Sequence, residues 1–350
     1  MSGLEIDGSY GEGGGQILRM AVALSAITAT PVRITNIRAK RKNPGLAAQH
    51  VTAVQAVAKL CDAATEGAAL GSQVLEFRPG PLRGGSFSFD VGTAGSITLV
   101  LQACLPAAFM TGDVTLTIRG GTDVPWSPPL DYFDHVFLGL LRKMGARANV
   151  EVSTRGYYPR GGGLVRVAVE RVREWTPIVL PTRGDIERIA GRAHASNLPK
   201  DVVKRIKSGA LHHLSRYMTV RVHDETLGPD RAVGPGGSIV LWAESSETIL
   251  GASALAEKGK RAEKVGEEAA IALLNDIESG ATIDARAADQ VLVYAAMASG
   301  PSEFLVREVT EHTRTMMWLL GSFLGTQFDV ASLRDLSRVS ITPARSSKQR

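Results

Sequence analysis

One pattern occurs three times in this chain, and it restricts the fold more than any single motif does. Residues 4–27 (LEIDGSYGEGGGQILRMAVALSAI), 87–108 (FSFDVGTAGSITLVLQACLPAA) and 281–299 (ATIDARAADQVLVYAAMAS) each read as a short strand ending in aspartate, then a turn, then an apolar helix. The aspartates are Asp7, Asp90 and Asp284. Ile17, Met20, Ala21, Leu24 and Ile27 recur at intervals of three and four, as do Ile97, Val100, Leu101, Cys104 and Leu105. Each set makes a broad apolar face that must be buried against a neighbour. A second strand, a polar junction and a second helix follow: PVRITNIRAKRKNPG before LAAQHVTAVQAVAKLC, DVTLTIRGGTDVPWSPP before LDYFDHVFLGLLRKMG, and SEFLVREVTEHTRT before MMWLLGSFLG. Closing strands such as QVLEFRP, LVRVAVE and SRVSIT complete the reading of a βαβαββ unit used three times.

The expected fold class is therefore α/β (α+β), with residues 1–172 and 281–342 forming a large three-unit domain. Residues 173–280 have their own helix (NLPKDVVKRIKSGALHHL), a hairpin and a charged helix (RAEKVGEEAAIALLNDI). They read as a small inserted α/β domain, the last helix belonging either to it or to the main body. The polar, basic tail 343–350 is expected to fray. A 44% apolar content over 350 residues supports a large core. No run approaches the ~20 apolar residues of a membrane span, and MSGLEIDGSYGEGG has none of the regions of a signal peptide, so a cytoplasmic protein is expected. Cys61 and Cys104 lie in apolar helical patterns and read as free thiols in a reducing compartment. The net charge of +5 is compatible with an anionic partner such as RNA or a nucleotide without requiring one.

Three similar units packed about a pseudo-threefold axis would bring their junctions together, and the unusual polar residues lie at those junctions. The glycine run around Glu12 bares backbone N–H groups at a helix start, where an anion can approach. It matches neither the Walker A loop nor GxGxxG. Glu12 is either a first-turn charge or a ligand for a hard metal ion bridging to polyphosphate. Arg38, Lys40, Arg41 and Lys42 end a strand, and the planar forks of the arginines suit a terminal phosphate. Gln49 and His50 follow near a helix start, within reach of the same anion. Gln102 interrupts an apolar helix and needs partners if buried. Asp289 is either a cap or a ligand contact. Pro125, Pro128 and Pro129 offer a rigid surface able to flank a purine. His312, between Glu311 and the hydroxyls of Thr313 and Thr315, is either a cap or a nucleophile: a neutral imidazole can attack phosphorus and pass the group onward.

In order along nearly the whole chain, GEGGGQILR (11–19), NPGLAAQHVTAV (43–54), GTAGSITLVLQ (92–102), RGGTD (119–123), GYYPRGGG (156–163), ADQ (288–290) and EHTRT (311–315) resemble the RNA 3'-terminal phosphate cyclase family. The resemblance implies three α/β repeats with a small insert. It also implies ATP as co-substrate, Mg2+ or Mn2+, and RNA carrying a 3'-terminal phosphate as substrate. By that resemblance His312 carries AMP, and Glu12 is associated with the metal. Arg19, Arg38, Arg41 and Gln49 hold phosphates and the RNA end. Gln102, Pro128, Arg286, Ala287, Ala288, Asp289 and Gln290 form the ATP site. Arg286 departs from the family pattern, which has tyrosine or histidine there, and Met316 stands where asparagine is common. The alternative within the family is a cyclase-like factor in ribosomal RNA processing that lacks the catalytic histidine; a different alternative is an enolpyruvyl transferase on a similar architecture. No membrane and no obligate protein partner are expected.

Overall fold

Strand β1 (Leu4–Asp7) lies parallel to β2 (Val32–Thr35), and helix α1 (Gly15–Thr28) crosses between them. Helix α2 (Ala48–Leu60) leads into β3 (Ala64–Glu66) and β4 (Leu75–Arg78), and β4 inserts beside β2 to give the order β1-β2-β4-β3. The computed structural model that shows this describes residues 3–217 and 219–344.

The next stretch repeats the path. β5 (Gly85–Asp90) is parallel to β6 (Val114–Gly120) across α3 (Ile97–Thr111). Helices α4 (Leu130–Tyr132) and α5 (Leu138–Lys143), joined by a π-helical turn at Phe133–Phe137, precede β7 (Ala148–Gly156) and β8 (Gly163–Val169). The order is again first, second, fourth, third, as β5-β6-β8-β7.

After β9 (Val179–Leu180) comes a stretch with a sheet of its own: β10 (Arg188–Ser196), α6 (Val202–Leu214), β11 (Val220–Leu227), β12 (Ala232–Val233), β13 (Gly236–Glu244), β14 (Ile249–Leu255) and α7 (Ala262–Ser279). Its order is β11-β10-β13-β14, while β12 joins the edge of β7. Then α8 (Ala285–Ala296), β15 (Ser302–Val306), α9 (Glu311–Leu324), β16 (Gln327–Leu333) and β17 (Leu336–Thr342) close the chain. The last sheet, β9-β15-β17-β16, has the same order and directions as the first two. The molecule is thus a mixed α/β structure with several mixed sheets.

Three details differ from the sequence reading, and one that it left open is decided. The hairpin expected over 219–245 does not form: β11 and β13 do not pair with each other but flank β10, parallel on one side and antiparallel on the other. Residues 281–284 form no strand: the amides of Thr282 and Ile283 both donate to the Leu305 carbonyl, and Asp284 caps α8. The parallel edge of β15 is already taken by β9, so Val179–Leu180 fills the role assigned to that segment. Helix α7 packs on α6, β13 and β14, where Val265, Ala269 and Leu273 join Ile206, Leu241 and Leu250 in a separate apolar cluster. Helix α9 begins at Glu311 rather than Met316, because the Thr310 side chain accepts from the Thr313 amide and caps it. Of the expected fraying tail, residues 345–350 lie outside the described residues.

Helix α1 packs on α2, α3 and α9, and α8 packs on α3 and α9. Ile17, Leu24, Val54, Leu101, Val291 and Leu319 meet in one core there, each side chain adding about 1.5–3 kcal/mol of burial. The loop before α1 is tied to α9 by the stacked rings of Tyr10 and Trp318, 4.0 Å apart. Cys61 and Cys104 are buried free thiols. Burial pushes Cys61 up to about 11 and Cys104 higher still, so neither is a thiolate near neutrality. Among the described residues no helix is long and apolar enough to cross a membrane.

Candidate active site

The N-terminal ends of α1 and α9 lie side by side, and local sequence explains how closely. Gly11 and Gly13 have φ of 55° and 60°, in the left-handed region that glycine enters without strain. At Gly11 a Cβ would stand 2.4 Å from Thr315 Oγ1 on α9; at Gly15 it would stand 2.1 Å from His50 Nε2 and 2.9 Å from Arg19 Nη1. Helix α1 has no side-chain cap, which leaves its first-turn amides open to an anion.

His312, in the first turn of α9, is held from both sides. Its Nδ1 is 2.9 Å from Gln16 Oε1, and its Nε2 is 3.2 Å from Glu12 Oε2. The other end of the Gln16 amide donates to Asp289 Oδ2 at 2.5 Å. With the amide NH2 committed to Asp289, its oxygen faces His312 and selects the Nδ1–H tautomer, leaving an electron pair on Nε2. Burial raises Asp289 to about 7 against the pull of Arg19, while burial lowers Arg19 to about 10 against Asp289. The Gln16 bridge carries no signal in the sequence beyond its place at the end of GEGGGQ.

These groups line a cavity of about 520 Å³ that contains Arg19, Gln102, Pro128, Arg286, Asp289, Gln290 and His312, within the range for small-molecule sites. The Gln102 amide nitrogen and Gln290 Oε1 are buried there without a protein partner, a donor and an acceptor left for something else. The Thr98 hydroxyl donates to the Pro128 carbonyl at 2.8 Å and fixes that wall. Arg286 does not hang free: its Nη1 donates to Ser253 Oγ at 2.5 Å and its guanidinium lies 5.3 Å from the Tyr132 ring centroid. Ser253 and Leu255 bring β14 to the cavity wall, a contribution that no local feature of that strand announces. Ala287 and Ala288 are fully buried in α8 and do not reach the cavity. Asp289 is not the cap of α8; Asp284 accepts from the amides of Arg286 and Ala287 in that role.

The remaining candidates sit beside the cavity. Arg41 Nη2 is 3.5 Å from Glu12 Oε2, and Lys40 Nζ donates to the Gly11 carbonyl at 2.9 Å. Arg38, at φ 54°, donates to the Gly45 carbonyl at 2.6 Å. Burial, then the neighbouring Arg41, lower it from its ordinary value. Gln49 Oε1 accepts from the Ser96 amide at 2.9 Å, joining α2 to the start of α3. His50 Nδ1 accepts from the Ala47 amide at 3.1 Å. Burial, with Arg19 and Arg38, lowers His50 to about 3, so it is neutral with its Nε2–H directed at the Gly15 turn.

A second charged group lies deeper. Arg155 Nη1 donates to Asp123 at 3.1 Å and its Nη2 to Asp131 at 2.8 Å, with His194 Nε2 at 3.4 Å from both carboxylates. Burial alone would raise both aspartates; His194 and Arg155 outweigh it and hold them below the usual range. Burial and Arg155 oppose the proton on His194, yet the two carboxylates raise it above its ordinary value. This network locks β10 to β7 and to the turn before α4.

A family profile described as RNA 3'-terminal phosphate cyclase matches residues 10–330. Proteins named RNA 3'-terminal phosphate cyclase are similar along their length. The one from Nitrosospira multiformis is 55% identical over 340 residues, covering 97% of this chain and 96% of the relative. Those from Thermococcus onnurineus and Methanopyrus kandleri are 49% and 46% identical, each covering 94% of this chain and 96% of the relative. With the match running through both junctions that form the cavity, the chain belongs to the RNA 3'-terminal phosphate cyclase family.

Proposed function

We propose that this protein converts an RNA 3'-terminal phosphate into a 2',3'-cyclic phosphodiester at the expense of ATP, on a three-unit body that includes β9, with an inserted domain following that strand. The observation that carries the reading is His312, its Nδ1 tied to Gln16 and its Nε2 facing the Glu12 carboxylate, on the wall of a nucleotide-sized cavity. Nε2 attacks the α-phosphorus of ATP; a P–N bond forms and pyrophosphate leaves. An oxygen of the RNA 3'-phosphate then attacks the same phosphorus, which breaks the P–N bond, frees His312 and gives RNA-(3')pp(5')A. The neighbouring 2'-hydroxyl attacks the 3'-phosphorus, loses its proton and expels AMP.

The chain's work is alignment and charge compensation. Arg19 and the open amides of α1 take phosphate oxygens, and Arg38, Arg41 and Gln49 hold the RNA end. Pro128 and Arg286 flank the adenine, whose polar edge meets the unpartnered amide nitrogen of Gln102 and Oε1 of Gln290. Glu12, a half-exposed single carboxylate, suits Mg2+ or Mn2+, which is typically held by one or two carboxylates together with substrate phosphates. Such an ion, when bound, neutralises charge on the leaving pyrophosphate. The setting is taken to be cytoplasmic and the partner RNA.

Incubation with α-labelled ATP and Mg2+, beside His312→Ala, tests the reading. An acid-labile, base-stable adduct formed only by the wild type is expected. No adduct, with ATP binding demonstrated directly, would overturn it in favour of a non-catalytic RNA-assembly role.

A further inference from the structure

Trp126 stands on the lip of the cavity with 95% of its surface in solvent. The other tryptophans are engaged: Trp175 and Trp242 are buried, and Trp318 stacks on Tyr10. An indole so exposed gains little from burial. Its backbone has φ of 62°, the left-handed region that disfavours bulky side chains and that glycine or asparagine occupies more easily. The turn is kept closed by the Ser127 hydroxyl, which donates to the Val124 carbonyl at 3.0 Å. Both local terms oppose tryptophan here, and residues held against such terms cluster at ligand-binding sites.

The ring's neighbours indicate what the ligand is. Deeper in the same cavity Pro128, Arg286, the Gln102 amide nitrogen and Gln290 Oε1 already make a place for one base. A polymer whose 3' end reaches His312 must enter from outside and cross the lip. Single-stranded RNA ends are held by stacking of bases on exposed aromatic faces, with little sequence preference.

We propose that Trp126 is a stacking platform for a nucleobase of the acceptor RNA near its 3'-phosphate, outside the ATP subsite. This assignment rests on the cyclase reading above, and it makes the second junction an RNA-binding as well as a nucleotide-binding element.

The test compares wild type, Trp126→Ala and Trp126→Phe on two separate half-reactions. Self-adenylation from α-labelled ATP should be unchanged in both variants. The KM for a 3'-phosphorylated oligoribonucleotide should rise about tenfold in Trp126→Ala and much less in Trp126→Phe. Oligonucleotides carrying an abasic ribose at one of the last positions should reveal one for which Trp126→Ala makes no further difference, the signature of a removed contact. An RNA KM unchanged in Trp126→Ala would overturn the proposal, as would an equal loss in both variants or a loss of ATP adenylation with it. Failure of the wild type to adenylate would strike the cyclase reading instead.

Discussion

Replacing Gln16 by methionine keeps the length of the side chain and removes both hydrogen bonds of the bridge between His312 and Asp289. Nδ1 then has no acceptor to select its proton, and Nε2 carries the attacking electron pair for only part of the time. A neutral hydrogen bond contributes about 0.5–1.5 kcal/mol, and a charge-assisted one about 1.5–3. The first range corresponds to a two- to thirteen-fold fall in the rate of His312 adenylation, with the KM for ATP little changed because Gln16 orients the nucleophile. The second range applies to stability. The Gln16 donor favours the ionised form of Asp289, so its loss raises that group further above its present value of about 7. A raised carboxyl contributes stability that is complete below the ordinary 3.8 and declines as pH rises through the folded value. Gln16→Met should therefore be most destabilised above pH ~7 and nearer the wild type below it. Single-turnover labelling with α-labelled ATP, together with urea titrations at two pH values, measures both effects. Adenylation at the wild-type rate would refute the tautomer argument; an increase in KM at constant rate would make Gln16 a nucleotide contact instead.

Other outcomes follow from the same geometry. Gly15→Ala drives a methyl into His50 and Arg19 and should cost about 1–3 kcal/mol of stability together with most ATP binding, read by calorimetry; normal affinity would contradict an anion-binding turn. His194→Leu leaves Asp123 and Asp131 with Arg155 as their main counter-charge and should destabilise by about 3–5 kcal/mol in urea titrations at neutral pH. Because His194 is raised above its ordinary 6.5, its contribution is present below that value and lost as pH rises through the folded one, so the gap between variant and wild type should narrow at alkaline pH. A DNA strand with a 3'-phosphate should accept AMP yet yield no cyclic end, because it has no 2'-hydroxyl; a cyclic product would refute the last step.

Much of the molecule is legible in the sequence because periodicity and composition are local. The apolar faces of α1 and α3 follow from residues three and four apart, and the glycine turn, the arginine cluster and His312 mark themselves as polar groups at helix starts. What the chain's order conceals is which distant segments meet. Val179–Leu180 is too short to carry a periodic signal, so its place beside β15 emerges only from pairing, and the segment at 281–284 then has no sheet edge left to join. Gln16 could be read as one polar residue after a glycine run; its bond to His312, 296 residues away, exists because α1 and α9 pack closely enough for a side chain at Gly11 to be excluded. The same holds for Ser253 on Arg286 and for the raised Asp289, whose burial is a property of the packed core. Local pattern determined which elements form and which groups are chemically equipped; only tertiary packing, which sets burial and distance, decided which of those groups act on one another.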